Sequence, residues 1–98
     1  MVKHRQGTTF IGITYVCSYE DDTIINLNDA VVTTRCSYDG VDKDFTVGNG
    51  LSNPSNGQFT LLAGDLIDWE VGQWRVTNTV KLSDGFTFKI DDIIWVTL

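Results

Sequence analysis

Residues 57–76 read GQFTLLAGDLIDWEVGQWRV, and how this stretch divides decides the fold. Gly57 to Leu62 and Gly72 to Val76 have the alternation of strands: Phe59 and Leu61 share one face of the first, Trp74 and Val76 one face of the second. Between them, Ala63 to Glu70 has helical spacing. It predicts Ala63, Leu66, Ile67 and Trp69 pointing inward, with Asp65, Asp68 and Glu70 in solvent. A single amphipathic turn of this kind can cross the end of a core and plug it. Gly72 then lets the chain turn sharply into the next strand.

Strand patterns dominate on either side. Thr9 to Cys17 places Ile11, Ile13, Tyr15 and Cys17 on one face. Ser18 to Thr23 is polar and acidic, hence a loop, and Asn28-Asp29 turns the chain into Ala30 to Ser37. Tyr38-Asp39-Gly40 is a hairpin signal, because Asp-Gly supplies positive φ angles. Val41 to Val47 carries three charges and reads as a strand near an edge, where charge discourages unwanted pairing. Gly48 to Asn56, GNGLSNPSN, is a loop and holds the only proline. Gln73 to Leu82 is a long strand, Ser83-Asp84-Gly85 a second hairpin turn, and Phe86 to Leu98 a closing strand that Asp91-Asp92 is expected to interrupt. Six or seven short strands and one helical turn, with no repeat or linker, predict one all-β domain, a sandwich or small barrel.

Ninety-eight residues suit a single domain, and 42% hydrophobic with 20% charged residues excludes disorder. No apolar run approaches the ~20 residues that cross a bilayer. The opening MVKHRQGTTF has a basic start with no apolar stretch behind it, so no secretory signal is expected and residues 1–6 read as a flexible tail. The formal charge is −6, a field that repels phosphate backbones and argues against nucleic acid as a partner. Cys17 and Cys36 leave two alternatives open. Across a hairpin centred near Asn26 and Leu27 they would face each other and could bridge; otherwise they are two small buried hydrophobes in a reducing compartment.

The inventory for catalysis is thin. His4 is the one histidine, so neither a His-based triad nor a two-His metal site can be assembled. Gly48-Asn49-Gly50 lacks the lysine and the strand-helix context of a phosphate loop. Asp39-Gly40-Val41-Asp42-Lys43-Asp44 clusters oxygens as calcium sites do, but it lacks the full loop pattern and places a lysine inside it. A charged turn and edge strand accounts for it better. Trp69, Trp74 and Trp95 read as core, while Tyr19 and Tyr38, beside loops, are better placed as exposed aromatic contacts. The expectation is a protein that is not an enzyme, with no cofactor and no metal.

Several segments together resemble the small immunoglobulin-like β-sandwich modules of tailed-bacteriophage virion proteins, such as the N-terminal domain of baseplate upper proteins and related tail-fibre attachment domains. They are the opening Gly7-Thr8-Thr9-Phe10, then Ile25-Asn26-Leu27-Asn28-Asp29-Ala30 leading Val31 to Arg35, and the strand Gly57-Gln58-Phe59-Thr60-Leu61. Gly72-Gln73-Trp74, Ser83-Asp84-Gly85 and the strand Phe86 to Leu98 complete the set. The family more often has Asp and Thr where the second segment has Asn, and Tyr at the position of Trp74. Its modules usually sit at the front of a longer fibre protein, and this chain ends at Leu98, so a virion-building role is expected rather than fibre attachment specifically.

The resemblance implies an immunoglobulin-like antiparallel sandwich and a structural role in the tail, baseplate or neck, exerted by docking on other virion proteins or on further copies. The chain would then be made in the host cytoplasm and reside in the virion. A capsid decoration protein and a host-glycan-binding module are the alternatives. Contact residues are expected on the loop and strand ends: Tyr38, Asp39, Asp42 and Asp44 along one edge, Leu51, Asn53 and Pro54 in the loop, and Trp95 on the last strand. Ile93 to Leu98 could also pair with a partner's sheet edge.

Overall fold

A computed structural model of the chain describes residues 3–7, 9–10, 12–62 and 64–98. Those residues form strands and turns, with no helix among them. In chain order the strands are β1 (Lys3–Arg5), β2 (Thr9–Phe10), β3 (Ile13–Val16), β4 (Val31–Tyr38), β5 (Val41–Val47), β6 (Gly50–Leu51), β7 (Gln58–Leu61), β8 (Gly64–Asp65), β9 (Gly72–Lys81) and β10 (Thr87–Thr97). Eight of them join in one mixed sheet of order β1-β10-β9-β4-β5-β6-β7-β3, and β2 pairs with β8 separately.

The fold is all-β, as the alternation predicts, but its layers come from one curled sheet. The corner is β6, which pairs in parallel with β5 and antiparallel with β7. Beyond it, β7 and β3 lie over the inner face of β4, β9 and β10. Val32, Thr34 and Cys36 of β4, Trp74, Val76, Asn78 and Val80 of β9, and Ile94 and Val96 of β10 meet Tyr15, Leu51, Phe59 and Leu61 there, all buried. Each large apolar side chain taken out of water contributes roughly 1.5–3 kcal/mol. Two polar side chains share this core. Thr34 Oγ1 donates to Asn78 Oδ1 at 2.5 Å, and Asn78 Nδ2 donates to the Ile90 carbonyl at 3.2 Å. Among the described residues no buried side-chain nitrogen or oxygen lacks a partner, so the burial is compensated.

The helical turn expected over residues 63–70 is not formed. Gly64 and Asp65 pair with Thr9–Phe10, and Gly64 has a φ of +77°, outside the helical region. What remains is one tight turn, in which the Trp69 N–H donates to the Leu66 carbonyl at 3.1 Å. The plug survives without the helix, because Leu66 and Trp69 are buried at 0% and 3% exposure. Ile67 lies at the tip of the turn and is 64% exposed, the reverse of the expectation. Asp68 and Glu70 are exposed as expected, while Ala63 and the side chain of Asp65 lie outside the described residues. The turn is fastened from outside: Gln6 Nε2 donates to the Trp69 carbonyl and Trp74 Nε1 to the Glu70 carbonyl, each at 2.8 Å. At Gly72 an added Cβ would stand 2.3 Å from Cε1 of Tyr38, so glycine is required where that ring packs.

Other boundaries differ for local reasons. The strand expected from Thr9 to Cys17 is split between β2 and β3 (Thr8 and Ile11 lie outside the described residues). Gly12 divides them, with a φ of +127° and backbone and side-chain atoms of residues 60–62 at 3.0–3.1 Å from where a Cβ would stand. Asp91-Asp92 does not interrupt β10, whose pairing with β9 continues through both. Asp91 points to solvent, and Asp92 faces inward because its carboxylate has partners there. The hairpin expected to face Cys17 with Cys36 is absent, since β3 pairs with β7 and β4 pairs with β5 and β9. Both thiols are free and buried. Residues Lys3–Arg5, read from sequence as part of a tail, form an edge strand parallel to Trp95–Thr97.

Candidate functional site

The curl leaves the outer face of β5, β4, β9 and β10 open. Alternation sends Val32, Thr34 and Cys36 inward and therefore Thr33, Arg35 and Ser37 outward, and the same parity governs its neighbours. Across the sheet the register aligns Thr46–Thr33–Thr79–Lys89, then Asp44–Arg35–Thr77–Asp91, then Asp42–Ser37–Arg75–Ile93, and finally Gln73–Trp95–Lys3. Two shallow depressions, of about 460 and 700 Å³, share Thr77 and Lys89 and together form a trough over these rows.

One side of the trough is internally paired. Arg35 Nε donates to Asp44 Oδ1 at 2.8 Å and Nη2 to Asp44 Oδ2 at 3.3 Å, with Nη1 3.9 Å from Asp42. Ser37 Oγ donates to Asp42 Oδ1 at 2.6 Å. The hydrogen bonds and charge of Arg35 hold the Asp44 carboxyl below the usual carboxylate range. On the other side, exposed Arg75 and Lys89 have no carboxylate within ion-pair distance among the described residues. At the end of the face Lys3 Nζ sits 4.3 Å from the Trp95 ring centroid.

The charge of this face is opposite in sign to that of the chain. Lys3, Arg5, Arg35, Arg75, Lys81 and Lys89 stand against Asp42, Asp44 and Asp91, six basic to three acidic, a net +3. With seven basic and thirteen acidic residues in all, the remainder holds one and ten, a net −9. Hydroxyls and unpaired cations on a rigid sheet suit an anionic protein surface. Among the described residues no three His, Cys, Asp or Glu side chains group closely enough to hold a metal ion.

The residues expected from sequence are spread over the molecule. Asp42, Asp44 and Trp95 share the outer face. Tyr38 is half-buried with its ring centroid 5.4 Å from that of Trp74, and Asp39 sits in the β4–β5 turn with a φ of +48°. Asn53 and Pro54 line a cleft of about 770 Å³ at the end of the sheet, together with Leu27 to Thr33, Thr46 and Val47. Leu51 is only 3% exposed and belongs to the core, because β6 is the corner strand rather than free loop. The outer edge of β10 is taken by β1 at Trp95–Thr97, so the end of the closing strand is already paired. Reading from sequence missed Arg75, Thr77, Thr79 and Lys89. Their signal was present in parity: each occupies the polar phase of its strand, where the opposite phase is apolar.

Comparison with protein-family models, with curated proteins and with solved structures finds no match.

Proposed function

We propose that this chain is a non-enzymatic structural protein of a tailed-bacteriophage particle, an immunoglobulin-like module of the tail, baseplate or neck that works by docking on neighbouring virion proteins. The observation that carries the docking part is the uncovered sheet face, net +3 on a chain of net −6. A patch whose net charge is opposite to that of the bulk steers and orients an acidic partner surface. The resemblance supports the virion part, and its segments coincide with structural units: Gly57 to Leu61 lies along β7, Val31 to Arg35 along β4, and Ser83-Asp84-Gly85 in the turn before β10. A layered β fold with short turns also suits a small building block whose contacts are multiplied by particle symmetry.

Electron microscopy of purified particles labelled with an antibody to this chain tests the reading. Label at the tail tip, baseplate or neck is expected. Label over the capsid would make it a decoration protein, and particles without label would refute a virion role.

A further inference from the structure

The acidic remainder of the chain has a concentrated outpost. The loop after β3 presents Tyr19, Glu20, Asp21 and Asp22, all exposed, with Tyr19 53% and the following Ile24 52% accessible. It is a firm structure. The Tyr19 N–H donates to the Thr23 carbonyl at 2.8 Å, the Asp22 N–H to the Tyr19 carbonyl at 2.9 Å, and the Thr23 N–H to Asp21 Oδ1 at 3.0 Å. A loop held this way loses little conformational freedom on docking. The trough offers the complement on a face of net positive charge: Arg75 and Lys89 make no ion pair among the described residues, and beside them stand Thr77, the carboxylates of Asp91 and Asp92, and Ile93, which is 40% exposed.

We propose that the outer face of β5, β4, β9 and β10 receives the Tyr19–Asp22 loop of a second copy of this chain. This inference rests on the docking reading above and names its partner. The loop leaves β3, in the layer on the inner side of the sheet, so a copy cannot reach its own outer face. The contact joins two different patches and is heterologous, so it propagates into a closed ring or an open chain. Each exposed ion pair is weak and screened by salt, which makes the association salt-sensitive.

Sedimentation velocity across a concentration series tests it with the wild type, a face variant (Arg75→Glu with Lys89→Glu) and a loop variant (Glu20→Lys with Asp22→Asn). All four positions are exposed, so circular dichroism of the variants should match the wild type. The wild type should associate at about 0.05 M salt and become monomeric at about 0.5 M. Each variant alone should be monomeric. Mixed one to one, they should form a pair and no larger species, because only one intact face and one intact loop can then meet. A wild type that stays monomeric, association that either variant leaves unchanged, or a mixture that fails to pair overturns the proposal. Incorporation of the face variant into particles separates the two levels. A monomeric wild type whose face variant is lost from particles overturns the self-contact and leaves docking on another protein standing. Normal incorporation of that variant, with a monomeric wild type, removes the docking role of this face as well.

Discussion

The Tyr15 hydroxyl donates to Asp92 Oδ2 at 2.9 Å, joining strands separated by 77 residues of sequence, while Asp92 Oδ1 accepts the backbone N–H of Ile93 at 2.8 Å. One carboxylate thus ties the β3 layer to β10 and satisfies a donor on the outer edge of β10. Tyr15→Phe removes the tie and leaves Asp92 its second bond, so a loss of about 1–2 kcal/mol is expected. Asp92→Ala strands a buried hydroxyl and should lose more, about 2–3 kcal/mol. Urea unfolding should show the double variant losing less than the sum of the two. Additive losses would mean the bond contributes nothing.

Alkaline pH acts on the same core. Burial pushes the Cys36 thiol from 9.0 up to about 12, and burial together with the bond to Asp92 raises the Tyr15 phenol. Both groups are neutral when folded and ionise more readily when unfolded. Their contribution is therefore complete below the unfolded values and lost as pH rises, for Cys36 between 9.0 and about 12. Chemical unfolding at stepped pH should show stability falling across that window, with a shallower slope in Cys36→Ala. At pH 8 Ellman's reagent should leave both thiols of the native protein unreacted and modify both in denaturant.

Arg35 and Asp44 make a different prediction. Their bonds depress the Asp44 carboxyl, so the stability they add is present above the unfolded carboxylate value and lost as pH falls through the folded one. Both groups are exposed. The difference in melting temperature between wild type and Asp44→Asn should be small near neutrality, smaller still in high salt, and absent in acid.

The plug supplies the largest expected effect. Trp69 is 3% exposed, with its ring centroid 4.7 Å from that of Trp74 and 6.4 Å from that of Phe45. Trp69→Ala should cost about 3–5 kcal/mol, whereas Ile67→Ala, at an exposed tip, should stay within about 0.5 kcal/mol. Thermal unfolding of the two variants decides whether burial or helical spacing governs this segment.

That contrast shows where reading the residues succeeded. Period-two alternation located β4, β7, β9 and β10, because each turns one face inward and the other to water, while β5, exposed over most of its length, was marked by the turn before it and its three charges. Leu66 and Trp69 were correctly placed inward, since an i, i+3 pair meets on one side of a tight turn as well as of a helix. Ile67 could not be placed, because helix and turn differ in where they send the residue between. Pairing partners were the least legible part. That β3 would join β7 depends on the corner at Gly50-Leu51, which local composition presents as loop, and that β1 would lie parallel to β10 is a pairing between distant segments that no local pattern announces. The outer face was half visible: Asp42, Asp44 and Trp95 were singled out, but their company with Arg75 and Lys89 exists only once the register is set.

The parallel pairing of β1 with Trp95–Thr97 has a bearing on how the molecule is made. Lys3–Arg5 are translated well before the backbone they bond to, which belongs to Trp95–Thr97. The nascent chain must therefore hold its first strand unsatisfied while the β4–β5 and β9–β10 hairpins close on nearby residues. Completion of the sheet waits for Trp95–Thr97, and the interval before it is when a stray strand from a neighbouring nascent chain could take the vacant place.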